Sequence, residues 1–229
     1  MRRTGLAAIA LAAALAVACN GKSQDKANTG TPAGNDAGAV GTSGKVPAAD
    51  RDLARDSAAV NMAEIDLGTL AKDKAADPDT KKFAQMMIDD HTAADAKLKE
   101  VATQQGIELP AQLDDTHADL KEKLSGKQGL EFDKAYADAM VDGHKDFVDK
   151  LESRIDKKTL SDWKAYQENQ ATGKREPTKT EAVAVAPESS DNAATMAVNQ
   201  WAALTYPVAY AHLQAAKDLQ AGLKKRSTN

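Results

Sequence analysis

Long segments in which apolar residues recur every three or four positions constrain the fold of this chain more than any other feature. Four such segments lie at about residues 50–73, 77–106, 130–155 and 194–223. This period gives a helix one apolar face, whereas a half-buried strand needs strict alternation, which no segment has. The sequence therefore predicts an all-α protein, an antiparallel four-helix bundle around one core.

The composition and the helix boundaries fit this prediction. Hydrophobic residues make up 42% of the chain but aromatic residues only 4%, so the core must consist mainly of Ala, Leu, Val and Met. The second long helix has the clearest boundaries. Asp77 suits its N-cap, Pro78 its first helical position and Gly106 its C-cap.

Three features are added to the simple four-helix order. A short extra helix is predicted at about residues 115–124, with Gly126 as its C-cap. A long insertion precedes the fourth long helix. Its Leu160, Trp163 and Tyr166 predict further helix, and residues 172–192 predict a disordered loop. Pro207 lies inside the fourth pattern and removes a backbone hydrogen bond, so we expect the helix to be kinked or split there.

The amino terminus resembles an export signal. Arg2 and Arg3 precede an apolar run that is shorter than the ~20 residues needed to cross a bilayer. Residues 1–18 are therefore predicted to be a signal peptide. The following stretch is rich in Gly, Ser, Asn and Asp, which predicts a flexible tether over residues 19–49 and one folded domain over residues 50–224.

Cys19 is the only cysteine of the chain and follows the apolar run directly. The string LAVAC (Leu15–Cys19) resembles a lipobox, in which the cysteine thiol receives a diacylglyceryl group. With two or three acyl chains at about 0.8 kcal/mol per buried methylene, such an anchor holds a protein firmly on a membrane. Because Asn20 rather than Asp follows, resemblance to the sorting rule of enteric bacteria implies an outer-membrane lipoprotein that faces the periplasm.

The charge and the motif content exclude several classes of function. The net charge is −4 and no basic stripe is present, which argues against nucleic acid as a partner. There is also no nucleophilic serine motif and no glycine-rich phosphate loop. The partners that remain are the membrane itself and another protein of the cell envelope.

Each long helix places one candidate metal ligand on its apolar face: Glu64, His91, His144 and His212. Residues three or four positions apart share a face, so all four side chains are expected to point inward, near the middle of their helices. A buried polar group without a partner costs about 1–3 kcal/mol, so these groups should contact one another or share a cation. The three-histidine, one-glutamate set suits zinc, copper or iron.

The alternative is a hydrogen-bonded Glu-His cluster that only specifies the packing of an Ala-rich core. Nearby, Asp89, Asp90 and Asp95 lie close to His91 in sequence, where one of them can orient the imidazole, although Asp89 also fits an exposed helix face. His117, on the short helix, is expected to make a cap or edge contact.

Four strings together resemble one family of exported bacterial proteins, the domain of unknown function 4142 family. They are NMAEIDLGTLA (Asn61–Ala71), DPDTKKFAQMMIDDHTAADAKLK (Asp77–Lys99), GIELP (Gly106–Pro110) and FDKAYADAMVDGH (Phe132–His144). The resemblance implies a ferritin-like four-helix bundle outside the cytoplasm, with no settled activity. It resumes at residues 197–219, where Pro207 and His212 match the family's Pro and His, although a long insertion precedes them and Tyr206 replaces a Leu. Ferritin-like di-iron sites use about four carboxylates, so one Glu argues against that chemistry.

These observations leave two main functional hypotheses. The leading one is a non-enzymatic envelope lipoprotein whose helical bundle has a structural, interaction or stress-related role. The other is a metal-binding or metal-dependent redox protein that uses Glu64, His91, His144 and His212. A third hypothesis is that Trp201, Tyr206 and Tyr210 form a surface that binds a partner. Aromatic residues at helical spacing more often belong to the core.

The lipid anchor predicts that Cys19→Ser moves the protein from the membrane fraction to the soluble periplasmic fraction, because serine does not accept the diacylglyceryl group. Cell fractionation followed by immunoblotting measures this. Ser23→Ala, in the predicted tether, is the matched control and should stay with the membrane. Membrane retention of the Cys19→Ser variant contradicts the prediction.

Overall fold

The computed structural model describes residues 45–172 and 184–226, and these residues form six helices. The helices are α1 (Ala48–Lys74), α2 (Pro78–Gln105), α3 (Asp115–Ser125), α4 (Gly129–Glu152), α5 (Lys157–Ala171) and α6 (Ala193–Arg226). Within the described ranges the only β pairing is an isolated bridge between Ile155 and Pro187. The predicted all-α class is confirmed.

Local sequence chemistry sets the helix ends largely as predicted. The Asp77 carboxylate accepts hydrogen bonds from the backbone N–H groups of Asp79 and Thr80, and Pro78 opens α2. Gly106 ends α2 with a φ of 65°, a left-handed conformation that glycine adopts without strain. Gly126 caps α3 as predicted, but with an ordinary right-handed backbone.

Of the two outcomes expected at Pro207, a kink or a split of the last helix, the split is wrong. α6 is one continuous helix from Ala193 to Arg226 with Pro207 inside it. A proline removes one hydrogen bond from the helix, while α6 packs against both α4 and α2. Packing of a long helix on two neighbours outweighs the loss of one bond.

Each of the four long helices contributes residues to two separate apolar clusters. One cluster contains Leu53 and Ala58 of α1, Leu98 of α2, Phe147 of α4 and Trp201 of α6, among others. The second contains Leu67, Met87, Met140 and Ala216, again one from each long helix. Along α1 and α6 the first cluster precedes the second, whereas along α2 and α4 the order is reversed. Each long helix thus crosses the layer between the two clusters, which we call the intermediate layer. The order of the clusters also shows that α1 runs antiparallel to its neighbours α2 and α4.

Helical spacing in the last long segment predicts an apolar stripe of Trp201, Leu204, Val208, Leu219 and Leu223, and two of these residues are exposed. Leu204 is 68% exposed and Val208 is 40% exposed. Small residues such as Ala202, Ala209 and Ala216 occupy the inward face instead. The other three residues of the stripe, Trp201, Leu219 and Leu223, are buried as predicted. Leu204 and Val208 were misplaced because the helix is apolar on several sides, so spacing alone does not identify the face that packs.

The insertion before α6 adds a helix as predicted. Leu160 and Trp163 of α5 are buried, and the Trp163 ring packs against Tyr206 and Tyr210 of α6 with centroid separations of 5.4 and 5.0 Å. Residues 184–192 are not helical, and the backbone carbonyl of Ala186 accepts a hydrogen bond from the Asp156 N–H.

The predicted signal peptide, Cys19, most of the predicted tether and residues 173–183 of the predicted loop lie outside the described residues. Among the described helices, none combines the length and the hydropathy of a membrane span.

Gly68 allows α1 and α2 to approach closely beside the intermediate layer. A Cβ at Gly68 would lie 2.8 Å from Ile88 Cγ1 and 3.0 Å from the carbonyl oxygen of Ala84, both on α2. Real Cβ atoms do not tolerate the first of these distances, so a side chain there would push the two helices apart.

We expect Gly68→Ala to lower the free energy of unfolding by about 1 kcal/mol or more through overpacking, although alanine is the better helix former by about 1 kcal/mol. Urea titration followed by circular dichroism measures the change. Gly222→Ala on α6 is the control, because its Cβ would meet only the flexible end of Arg226 at 3.4 Å. It should be neutral or stabilising; equal stability of the two variants contradicts the prediction.

Candidate metal centre

All four predicted ligands lie in the layer between the two apolar clusters, one on each long helix. Glu64 is on α1, His91 on α2, His144 on α4 and His212 on α6. Their exposed fractions are 5%, 4%, 1% and 4%, so all four are buried. The expectation that they point inward at one level of the bundle agrees with this placement.

The three histidines form a compact triangle. The ring centroids are 5.6 Å apart for His91 and His144, and 5.4 Å apart for each of these rings and His212. One ring nitrogen from each histidine lies within 4.8 Å of the corresponding nitrogens of the other two. Zn–N bonds of 2.0–2.1 Å place tetrahedral ligands about 3.3 Å apart, so small side-chain movements suffice to close this triangle around an ion.

One nitrogen of each imidazole makes a hydrogen bond to a group outside the three histidines. His91 Nδ1 lies 3.0 Å from Asn61 Oδ1, His144 Nδ1 lies 2.9 Å from the Met140 carbonyl oxygen, and His212 Nε2 lies 2.8 Å from Asp90 Oδ2. The Met140 carbonyl and the Asp90 carboxylate only accept, so the nitrogens of His144 and His212 that face them carry the proton and donate, and the His91 tautomer follows the orientation of the Asn61 amide. The tautomer of every ring follows from its partner.

The other nitrogen of each ring therefore carries a lone pair. These atoms are His91 Nε2, His144 Nε2 and His212 Nδ1, and all three are buried without a hydrogen-bond partner among the described residues. Three unpaired acceptors in one dry layer are costly, at about 1–3 kcal/mol each. A hydrogen-bonded cluster that only specified packing would satisfy these atoms with donors.

Glu64 lies beside the triangle rather than within it. Its Oε1 is 3.7 Å from His144 Nδ1, too far for a hydrogen bond. The group of ligand atoms within 4.8 Å of one another consists of the three histidines and does not include Glu64. The Oε2 atom of Glu64 has no hydrogen-bond partner among the described residues. The structure thus brings the three histidines together and places the carboxylate at their side.

Burial favours the uncharged forms of Glu64, His91 and His144. Desolvation raises the pKa of Glu64 to about 8 and lowers the pKa of His144 to about 3, and it lowers the pKa of His91 well below its usual value. The neighbouring histidines lower the pKa of His91 and His144 further. Neutral imidazoles are the form in which histidine binds metal ions.

Two residues that fix the rings were not assigned this role from the sequence. Asn61 was missed, although it precedes Glu64 by three positions and so shares its face of α1. Asp90 was considered a partner of His91, but it accepts from His212 on another helix. Asp89 is exposed and accepts from Gln85, and Asp95 pairs with Lys99. The expected cap contact of His117 is confirmed, since its Nδ1 lies 2.8 Å from Asp114 Oδ2 at the start of α3.

The raised pKa of Glu64 predicts a loss of stability at alkaline pH in protein kept free of metal by a chelator. Folded Glu64 retains a proton that the unfolded chain releases above its ordinary pKa of 4.5, so the free energy of unfolding falls as pH rises toward about 8. His91 and His144 act in the opposite direction, because their folded pKa is lowered, and they destabilise the protein as pH falls below 6.5.

Glu64→Gln stays neutral at every pH and should remove the decrease between pH 6.5 and about pH 8. Urea unfolding at pH 6.5 and at about pH 8 measures this change in the free energy of unfolding. The control is Glu131→Gln, because Glu131 is an exposed glutamate on α4. If the free energy of unfolding decreases equally in the wild type and in Glu64→Gln, another group causes the decrease.

Comparison with known proteins identifies the family but no activity. The chain matches the model of the family described as "Domain of unknown function (DUF4142)" over residues 35–173, which include Glu64, His91 and His144 but not His212. No curated protein and no solved structure matches the chain. Because the match covers more than half of the chain, the protein belongs to the DUF4142 family.

Proposed function

We propose that this protein binds one transition metal ion through His91, His144 and His212, with Glu64 adjacent to the ion. Two observations carry the proposal: one ring nitrogen from each histidine lies within 4.8 Å of the other two, and each ring has one buried nitrogen without a hydrogen-bond partner among the described residues. A cation satisfies all three acceptors at once, which no donor among the described residues does.

The hydrogen bonds around the rings support the same proposal. Metal-binding histidines usually donate their second N–H to a carboxylate or a backbone carbonyl, which fixes the ring and raises the basicity of the bound nitrogen. Asp90 and the Met140 carbonyl are acceptors of these two kinds, and the Asn61 amide oxygen acts in the same way. The rings are therefore held in orientation before an ion arrives.

The chemistry of the donors limits the kinds of ion. Three neutral imidazoles and a carboxylate suit zinc, copper or iron, whereas calcium and magnesium prefer sites made only of oxygen atoms. A divalent ion also compensates the charge of Glu64, whose ionisation is otherwise opposed by burial. Ion binding is thus expected to release a proton from this carboxyl group.

For the location of the protein, we propose a lipid anchor at Cys19 in the outer membrane, with the helical domain in the periplasm. The LAVAC string (Leu15–Cys19) after a short apolar run supports this, together with the Gly- and Ser-rich stretch that follows. A metal-binding domain on a tether can then serve a structural, stress-related or partner-binding role in the envelope.

Protein purified without chelator is expected to contain about one equivalent of zinc, copper or iron by elemental analysis. After chelation, adding the ion at about 100 times its Kd should stabilise the fold by about 2.7 kcal/mol. The double variant His91→Ala, His144→Ala should lose both properties, because two of the three ligands are removed. Differential scanning fluorimetry with and without the ion measures the shift of Tm.

His117→Ala is the matched control, since His117 is the remaining histidine and lies on α3 away from the triangle. It should bind metal as the wild type does. His91→Gln, which leaves a smaller void than alanine, replaces the double variant if that does not fold. Metal-free wild-type protein whose Tm is unchanged by all three ions would overturn the proposal.

A further inference from the structure

The side of α6 that faces away from the bundle is apolar. Charged residues make up 28% of the chain, yet no Asp, Glu, Lys or Arg occurs in residues 193–216. Within this stretch Leu204 is 68% exposed, Val208 is 40% exposed, Ala211 is exposed and Ala215 is partly exposed. Their spacing of three or four residues places these side chains on one face of the helix. We call Leu204, Val208, Ala211 and Ala215 the outer face of α6.

The aromatic residues and the histidine of α6 lie on other sides of the helix. Trp201 and Tyr206 are 4% and 0% exposed, so they do not form the partner-binding surface that the sequence suggested. His212 is buried as well, on the side of α6 that packs against α4 and α2. The outer face therefore lies outside the histidine triangle, and its contacts do not depend on a bound ion.

The outer face is complementary to a second copy of itself. Its two larger side chains, Leu204 and Val208, come first along the helix, and its two small ones, Ala211 and Ala215, follow. In an antiparallel pair of α6 helices with a twofold axis between residues 209 and 210, Leu204 of each copy faces Ala215 of the other, and Val208 faces Ala211. Each large side chain meets a small one, and each contact occurs twice, as in an isologous dimer.

We propose that the outer face of α6 binds the same face of a second copy of this protein, in an antiparallel dimer. Contiguous apolar patches on the surface of a domain mark interaction sites. Both copies carry the same net charge of −4, so they repel each other, and a contact surface without charged side chains suits their pairing. Because salt screens this repulsion, the dimer is expected to be stronger at high salt.

The residues at the edges of α6 argue against a membrane as the partner. Asp90 of α2 is 45% exposed and lies 2.8 Å from His212 Nε2, and the exposed Asp138 of α4 lies 2.6 Å from Gln220 Nε2. Helices that lie on membranes carry Lys and Arg on their polar side, which attract anionic lipids. At these two edges the neighbouring helices contribute carboxylates instead. A charged protein partner would bury its charges against apolar side chains, which is costly.

The size of the contact predicts a weak dimer. In the same antiparallel arrangement Ala197 of each copy faces Gly222 of the other, so the contact extends over about 37 Å of helix. A strip about 10 Å wide then covers about 370 Å² per copy, or about 750 Å² in total. Even with adjoining atoms of α2 and α4, this lies among the interfaces below about 1,200 Å², which are typical of weak and transient pairs. We therefore expect a Kd in the micromolar range.

Sedimentation equilibrium tests for the dimer, with exported full-length protein in which Cys19→Ser removes the proposed anchor. From about 1 to about 300 µM, which brackets a micromolar Kd, this parent protein should pass from monomer to dimer, with a lower Kd at high salt. Leu204→Glu should raise the Kd more than about tenfold, because its carboxylate would be buried against Ala215. The matched control is Leu130→Glu, since Leu130 is an exposed leucine of α4, and it should dimerise as the parent does.

Cysteine cross-linking tests the antiparallel arrangement, because the Cys19→Ser parent contains no other cysteine. An equimolar mixture of Leu204→Cys and Ala215→Cys proteins should form a mixed disulfide under mild oxidation. Leu204→Cys alone should not form one, because the two copies of position 204 lie about 16 Å apart along the helix axis. This separation is beyond the reach of a disulfide.

A parent protein that stays monomeric at the highest concentration overturns the proposal, as does a Leu204→Glu protein with an unchanged Kd. A disulfide between two Leu204→Cys chains, without the mixed disulfide, overturns the antiparallel arrangement. If Leu204→Glu does not fold by circular dichroism, Ala211→Glu replaces it with the same criterion. A monomeric parent that binds vesicles of phosphatidylethanolamine and phosphatidylglycerol through Leu204 would assign the face to a membrane and overturn the dimer.

Discussion

Three buried histidines lie side by side in one layer of the bundle, and each has a ring nitrogen without a hydrogen-bond partner among the described residues. Apolar side chains of the four long helices pack above and below this layer in two separate clusters. An unpaired acceptor in such surroundings costs about 1–3 kcal/mol, which the apolar packing on both sides must offset. A cation that binds all three nitrogens converts this cost into a favourable interaction.

The rings are held in place by contacts that come from several elements. His91 is fixed by Asn61 of α1, and His212 of α6 is fixed by Asp90 of α2. These are contacts between helices, so the orientation of each imidazole depends on the packing of its neighbours. The close approach of α1 and α2 at Gly68 belongs to the same arrangement, because it lies one turn beyond Glu64. These contacts hold the imidazoles in defined orientations.

Sequence reasoning succeeded where local chemistry decides and failed where packing decides. The ends of α2 followed from Asp77, Pro78 and Gly106, since caps depend on neighbouring backbone groups. Leu204 was wrongly assigned to the buried stripe of α6, because an Ala-rich helix offers several apolar faces. The continuous course of α6 through Pro207 was missed for a related reason: the cost of one lost hydrogen bond is local, but the packing that outweighs it is not.

The sequence by itself determined the helical class, the approximate helix bounds and the four polar residues on apolar faces, because a period of three to four residues is visible without coordinates. Only the tertiary structure decided that the three histidines form a triangle with Glu64 at its side, and that Asp90 serves His212 rather than the adjacent His91. The physical reason is that the axial shift and rotation of one helix against another depend on side chains from all of them, and a shift of one turn, 5.4 Å, would separate these groups.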